Sequence, residues 1–194
     1  MDFVFNRPII IYMANKKQLI EGQVYAVPLS NGTYTVAQLI NKHMIASSMS
    51  RSENTYAFYN IVYPTLDDLA QRVHIIDMSD PIAILTANSS PKVYKWIPVG
   101  FKEINIKFNY KQDISTLGLY KNRSTDPSLL LEPYFGLFPW DGYAVDNWIE
   151  ERYLLPNAKI RDDIKFIHDF SIEDLSRLLP PNSPKLMKLR NDFE

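Results

Sequence analysis

An α+β fold is what this 194-residue sequence predicts: a twisted antiparallel sheet, open or partly closed into a barrel, with two or three C-terminal helices. Three observations predict it. Through most of residues 9–110, short runs rich in β-branched and aromatic residues alternate with period two. Asn31-Gly32 separates two of those runs, and Asn-Gly is a strong hairpin signal because both residues tolerate positive φ. After Lys111 the chain turns acidic and shows helix-capping patterns instead. The close spacing of the first strand-like runs leaves no room for the crossover connections of a parallel sheet.

Taken in order, residues 9–13 (IIIYM) form a short apolar run. Residues 22–29 (GQVYAVPL) place Val24, Ala26 and Pro28 on one face and Tyr25, Val27 and Leu29 on the other. Residues 33–40 (TYTVAQLI) return after the turn. Pro28 has no N–H for a ladder, so its strand belongs at an edge or carries a bulge there. Residues 43–54 (HMIASSMSRSEN) are polar and serine-rich and read as a loop. Residues 56–63 (YAFYNIVY) make another strand, ended by Pro64. Thr65 with Asp68 caps a helix at 66–72, with Leu66, Leu69 and Val73 at helical spacing. Further strands are expected at 73–76 or 82–86, at 94–99 (YKWIPV) and at 104–110 (INIKFNY). The last sets Ile104, Ile106 and Phe108 against Asn105, Lys107 and Asn109, the pattern of a sheet with one wet face.

Residues 1–110 carry 10 basic and 8 acidic side chains, whereas residues 111–194 carry 11 and 14. Within residues 126–174, 11 carboxylates meet only Arg152, Lys159, Arg161 and Lys165, a local charge of −7. Residues 134–143 (YFGLFPWDGY) read as an aromatic loop inside that stretch. A helix is predicted over 144–155, capped by Asp141 or Asp146 and stopped by Pro156, with Val145, Trp148, Ile149 and the stem of Arg152 facing inward. Residues 164–170 suit a late strand. Ser171 and Asp174 cap another helix that Pro180-Pro181 ends, and Ser183-Pro184 opens a terminal one. No repeat and no Gly/Ser linker interrupts the chain, so residues 1–194 are expected as one domain, a β-rich core at 1–110 under an acidic helical cover at 111–194. Trp96, Val24, Ile104, Ile106, Phe108, Trp148 and Ile149 are the expected core.

Chemical motifs are few. Cysteine is absent, which removes disulfides, thiolate metal sites and thiol nucleophiles and suits a reducing cytoplasm. His43, His74 and His168 have no partners at metal-ligand spacing. The six glycines make no phosphate-cradling loop, and there is no G-x-S-x-G elbow. A net charge of −1 gives no general attraction to nucleic acid or anionic lipid. No apolar run approaches the roughly 18 residues of a membrane span. The sequence therefore predicts a cytoplasmic protein that is not an enzyme, uses no cofactor or metal, and contacts neither nucleic acid nor membrane directly. Tyr, Phe and Trp form 13% of the chain, a content that suits sheet packing or a binding face.

Residues 21–40 (EGQVYAVPLSNGTYTVAQLI) resemble the opening of the immunity protein 26 family, small bacterial proteins that neutralise toxin domains of polymorphic and contact-dependent secretion systems. Gly22, Gln23, Val24, Tyr25, Val27, Pro28, Leu29, Gly32 and Tyr34 match its pattern in order. Residues 95–100 (KWIPVG) are similar to the family's mid-chain Trp with following aliphatics and glycine. Val36-Ala37-Gln38 departs from it where a second glycine or aromatic precedes the polar residue. The resemblance implies a partner, a cognate toxin domain whose active site is occluded, and assigns no binding residues. Many such toxins are nucleases with basic substrate surfaces, which an acidic face would match. On that reading the toxin-facing surface comprises Asp141, Asp146, Glu150 and Glu151, with Tyr134, Phe138, Trp140 or Tyr143 as anchors. Asp146 and Glu150 would share a face of the 144–155 helix with Tyr143 one turn earlier. The alternative is a non-enzymatic β-barrel module binding another protein or a small ligand. If the acidic helix is only a solvated face, the loop around Arg51 is the next candidate.

Overall fold

The computed structural model describes residues 19–43, 53–107 and 125–192. The apolar run at 9–13, most of the serine-rich loop with Arg51, and Phe108 lie outside them. Five strands form one open antiparallel sheet in the order β4-β3-β2-β1-β5. They are β1 (Gln23–Pro28), β2 (Tyr34–His43), β3 (Glu53–Tyr63), β4 (Ala83–Ala87) and β5 (Ile97–Phe101). The sheet does not close, so of the two expected forms the open one is present.

The β1–β2 hairpin forms where Asn31-Gly32 announces it, with a different turn. Gly32 N–H bonds Leu29 C=O at 3.0 Å, Leu29 N–H bonds Thr33 C=O at 2.9 Å, and only Gly32 has positive φ. This is the three-residue loop that ends in a left-handed glycine. Asn31 instead spends its side chain on Thr33, accepting from its N–H at 3.1 Å and its hydroxyl at 2.7 Å. Pro28 does not put β1 at an edge, because β1 lies between β2 and β5. β5 pairs only as far as Ala26, so Pro28 sits past the last rung where no outward N–H is needed, and the bulge falls at Val24/Tyr25.

Both faces of the sheet are covered, which corrects the expectation of a wet face. Val24, Ala26, Val36, Ile40, Ala57 and Tyr59 pack against α1 (Leu66–Arg72) through Leu69 and against Val73, Ile76 and Met78. Tyr25, Val27, Leu39, Tyr56, Phe58 and Leu85 pack against Leu130, Leu131, Tyr134, Trp140 and Ile149 of the C-terminal half. The predicted cap of α1 is present: Thr65 Oγ1 accepts from Asp68 N–H at 3.1 Å. Of the two runs offered for a fourth strand, 82–86 supplies β4.

β5 begins three residues later than expected because residues 90–96 are a turn. Lys95 is left-handed there (φ 59°), an uncommon state for a residue with a Cβ, and Trp96 enters the core at 7% exposure. Residues 102–106 form no strand. Gln38, fully buried, donates through Nε2 to Lys102 C=O at 2.9 Å and accepts from the Tyr59 hydroxyl at 3.0 Å. That segment therefore runs over the α1 face with Ile104 and Ile106 half-buried.

Four short helices follow: α2 (Ser128–Tyr134), α3 (Trp148–Arg152), α4 (Ile172–Leu178) and α5 (Pro184–Asp192). α4 and α5 start at the predicted Ser171 cap and Ser183-Pro184. The expected 144–155 helix shrinks to α3, because Asn147 takes a left-handed conformation (φ 54°) just before it. Val145 is consequently exposed, whereas Ile149 is buried and Trp148 half-buried. The expected strand at 164–170 is a 3-10 turn at Ile167–Asp169. Leu175, Leu179 and Leu186 join α4 to α5 in a small cluster of their own.

Candidate functional site, an acidic and aromatic surface around the second helix

α2 has no cap side chain and contains Pro133. Proline lacks the N–H that would bond Leu129 C=O one turn earlier. The Tyr143 hydroxyl takes that place, donating to Leu129 O at 2.7 Å. One proline thus ties the 138–144 loop to α2. Beside this link lies a groove of about 490 Å³ lined by Leu129, Glu132, Phe138, Gly142, Tyr143, Leu178, Pro180 and Pro184, among others. The rings of Phe138 and Tyr143 are 5.1 Å apart, and Tyr143 stacks on Trp148 at 5.8 Å. Gly142 is required here, because a Cβ would come within 2.6 Å of the Phe138 ring and 2.9 Å of Pro139 O.

Also against α2 a smaller recess, about 140 Å³, opens between the hairpin tip and the 90–96 turn. Tyr94, Trp96, Asp126, Leu131 and Glu132 line it with Val27, Pro28 and Leu29. Glu132 borders both hollows and holds the hairpin tip, accepting from Ser30 N–H at 3.0 Å and Ser30 Oγ at 2.5 Å. Asp126 accepts from Ser128 N–H at 2.9 Å. Burial pushes the Tyr94 phenol up to about 12, and the carboxylate of Asp126 adds to the shift. Tyr143 is raised mainly by burial, then by Tyr153, Asp126 and Glu132. Both aromatic flanks therefore feel the Asp126 carboxylate.

The residues nominated from sequence divide. Phe138 and Tyr143 line the groove, and Asp146 and Glu151 are exposed. Tyr134 and Trp140 belong to the core instead, which removes them as surface anchors. Tyr134 is fully buried with its hydroxyl on Lys159 O at 2.6 Å, and Trp140 is 6% exposed with Nε1 on Glu150 at 2.5 Å. Glu150 is thereby occupied internally. Asp141 is too, accepting from Ile167 N–H at 2.8 Å while its carbonyl takes Lys185 Nζ at 2.5 Å. Asp146 pairs with Lys185 at 3.1 Å and shares no helix with Glu150. Asp126, Glu132 and Tyr94 were not singled out by sequence. An Asp two residues before a serine and a run of leucines is a weak helix-start signal, and nothing local announces that Tyr94 meets α2.

No protein-family model matches the chain, and no curated protein and no solved structure matches it. Among the described residues, no three His, Asp or Glu side chains could hold a metal ion, and no helix is long and apolar enough to cross a membrane. A third hollow, of about 520 Å³ near α4 and α5, is lined by Ile167, Phe170, Leu175 and Arg190 among others and by no carboxylate. Of the three, it least suits a cationic partner.

Proposed function

We propose that this chain is an immunity protein that binds a cognate bacterial toxin domain in the cytoplasm and blocks its active site. The target is a nuclease whose basic substrate surface meets the face around α2. One observation carries the reading: Glu132 borders two aromatic hollows and Asp126 lines one of them, in a stretch whose net charge is −7. Aromatic anchors framed by charge are how tight interfaces concentrate their energy, and an acidic face speeds encounter with a basic one. The likeness of residues 21–40 to the immunity protein 26 family supports the same reading. Phe138 and Tyr143 serve as anchors, and Asp146 and Glu151 as steering charges at the rim.

The test is growth rescue when the chain is co-expressed with the toxin domain encoded by the neighbouring reading frame. Rescue is expected, and failure of the wild-type chain to rescue or to bind that domain overturns the proposal. Asp146→Lys with Glu151→Lys should leave the fold intact, since both side chains are exposed and the Asp146–Lys185 pair is a surface one. The double variant should associate about tenfold more slowly at low salt and less so at high salt. Wild-type association at every salt concentration would remove these two carboxylates from the interface.

A further inference from the structure

We infer that the recess beside α2 is a subsite for one organic cation, the guanidinium of an arginine side chain presented by a protein partner. At about 140 Å³ it is too small for a drug-sized ligand and suited to a single head group. Its wall is a prepared aromatic surface. Tyr94 stacks on Trp96 at 5.2 Å with the ring planes 22° apart, and the Tyr94 hydroxyl is held by Asn88 Oδ1. Trp96 is fixed from behind by the edges of Tyr56 at 5.0 Å and Phe58 at 5.8 Å. Asp126 and Glu132 complete the lining, which contains no Lys, Arg or His.

Four carboxylates of the chain, Asp80, Asp146, Asp163 and Asp174, meet a cation of the same chain, namely Lys107, Lys185, Arg161 and Arg177. Asp126 and Glu132 meet none among the described residues. Their hydrogen bonds come from neutral donors, Ser128 N–H and Ser30. A cation laid on an aromatic face with a carboxylate at its edge gains from both. A planar guanidinium stacks and forks where an ammonium only approaches as a point. The inference rests on the inhibitor reading only for the source of the cation.

The experiment titrates the full chain with N-acetyl-arginine amide and follows the Trp96 indole N–H by NMR. N-acetyl-lysine amide and N-acetyl-glutamine amide are titrated alongside. Saturable shifts at Trp96 are expected with the arginine amide, weaker ones with the lysine amide and none with the glutamine amide. Asp126→Asn with Glu132→Gln should weaken the arginine amide about tenfold. The asparagine retains an acceptor for Ser128, and the serine hydroxyl can turn to accept from the glutamine. Tyr94→Leu, which removes half the aromatic wall and no charge, should also weaken it and serves if the double variant does not fold. No shift at Trp96, or equal shifts from the neutral amide, overturns the assignment. Arginine binding without toxin rescue supports the recess and counts against the inhibitor reading alone. Rescue without arginine binding does the reverse.

Discussion

Trp96 shows how far a single residue could be read. Its burial was predictable from the YKWIPV run, which also supplies its stacking partner Tyr94, whereas the approach of Tyr56 and Phe58 from β3 was not. Trp96→Ala should destabilise the protein by about 3–5 kcal/mol, measured by denaturant unfolding. A loss below about 1 kcal/mol would show that the surrounding rings close over the gap. Tyr134 and Trp140 mark the opposite limit. Hydropathy cannot tell an aromatic anchor on the surface from one in the core, and here each polar tip finds an internal acceptor, Lys159 O and Glu150. Glu150 and Asp141 mislead for the same reason. A carboxylate reads as solvated until its donor, brought from residue 140 or 167, is known.

Elements with local signals formed where expected. The hairpin has its glycine turn, and α1 and α4 have hydroxyl caps that bond three residues on. Elements whose signals conflict did not. α2 was hidden by Pro133, which argues against a helix there, although Pro133 lies near its end and its missing donor is replaced by Tyr143. The 144–155 pattern has helical spacing, yet Asn147 breaks it, because hydrophobic period registers side chains and not backbone conformation. Tyr143→Phe tests the substitution of a side chain for a helix donor. It should cost about 0.5–1.5 kcal/mol, since Leu129 C=O loses its partner at a partly accessible site. An unchanged denaturation midpoint would mean that water satisfies the carbonyl as well as the phenol does.

For the molecule as a whole, the change in composition at Lys111 is not a change of core. Strand residues such as Tyr25 and Phe58 and C-terminal residues such as Leu131 and Ile149 share one apolar cluster. A covered second face was hard to foresee, because a strand with apolar residues on both sides gives no clean alternation. This shared burial has a pH signature. Loss of solvent raises the Tyr25 and Tyr134 phenols from 10.0 to about 12. Below pH 10 the folded and unfolded states both keep these protons. Between 10 and 12 the unfolded chain releases them first, so it binds fewer protons and stability falls as pH rises. Alkaline unfolding should fall in that window and coincide with ionisation of Tyr25 and Tyr134, followed by their own ring signals in NMR. Ionisation of Tyr25 or Tyr134 near pH 10 in the still-folded protein would show that these rings are reached by water. The bond from Ser30 to Glu132 has a kinetic consequence of its own. The Ser30 amide is held by a side chain from 102 residues away and not by the strand ladder, so it exchanges its proton only when the hairpin tip and α2 separate. Its deuterium uptake should therefore track the opening of that seam and outpace the uptake of the ladder amide of Ala37, timing the first local unfolding of the site.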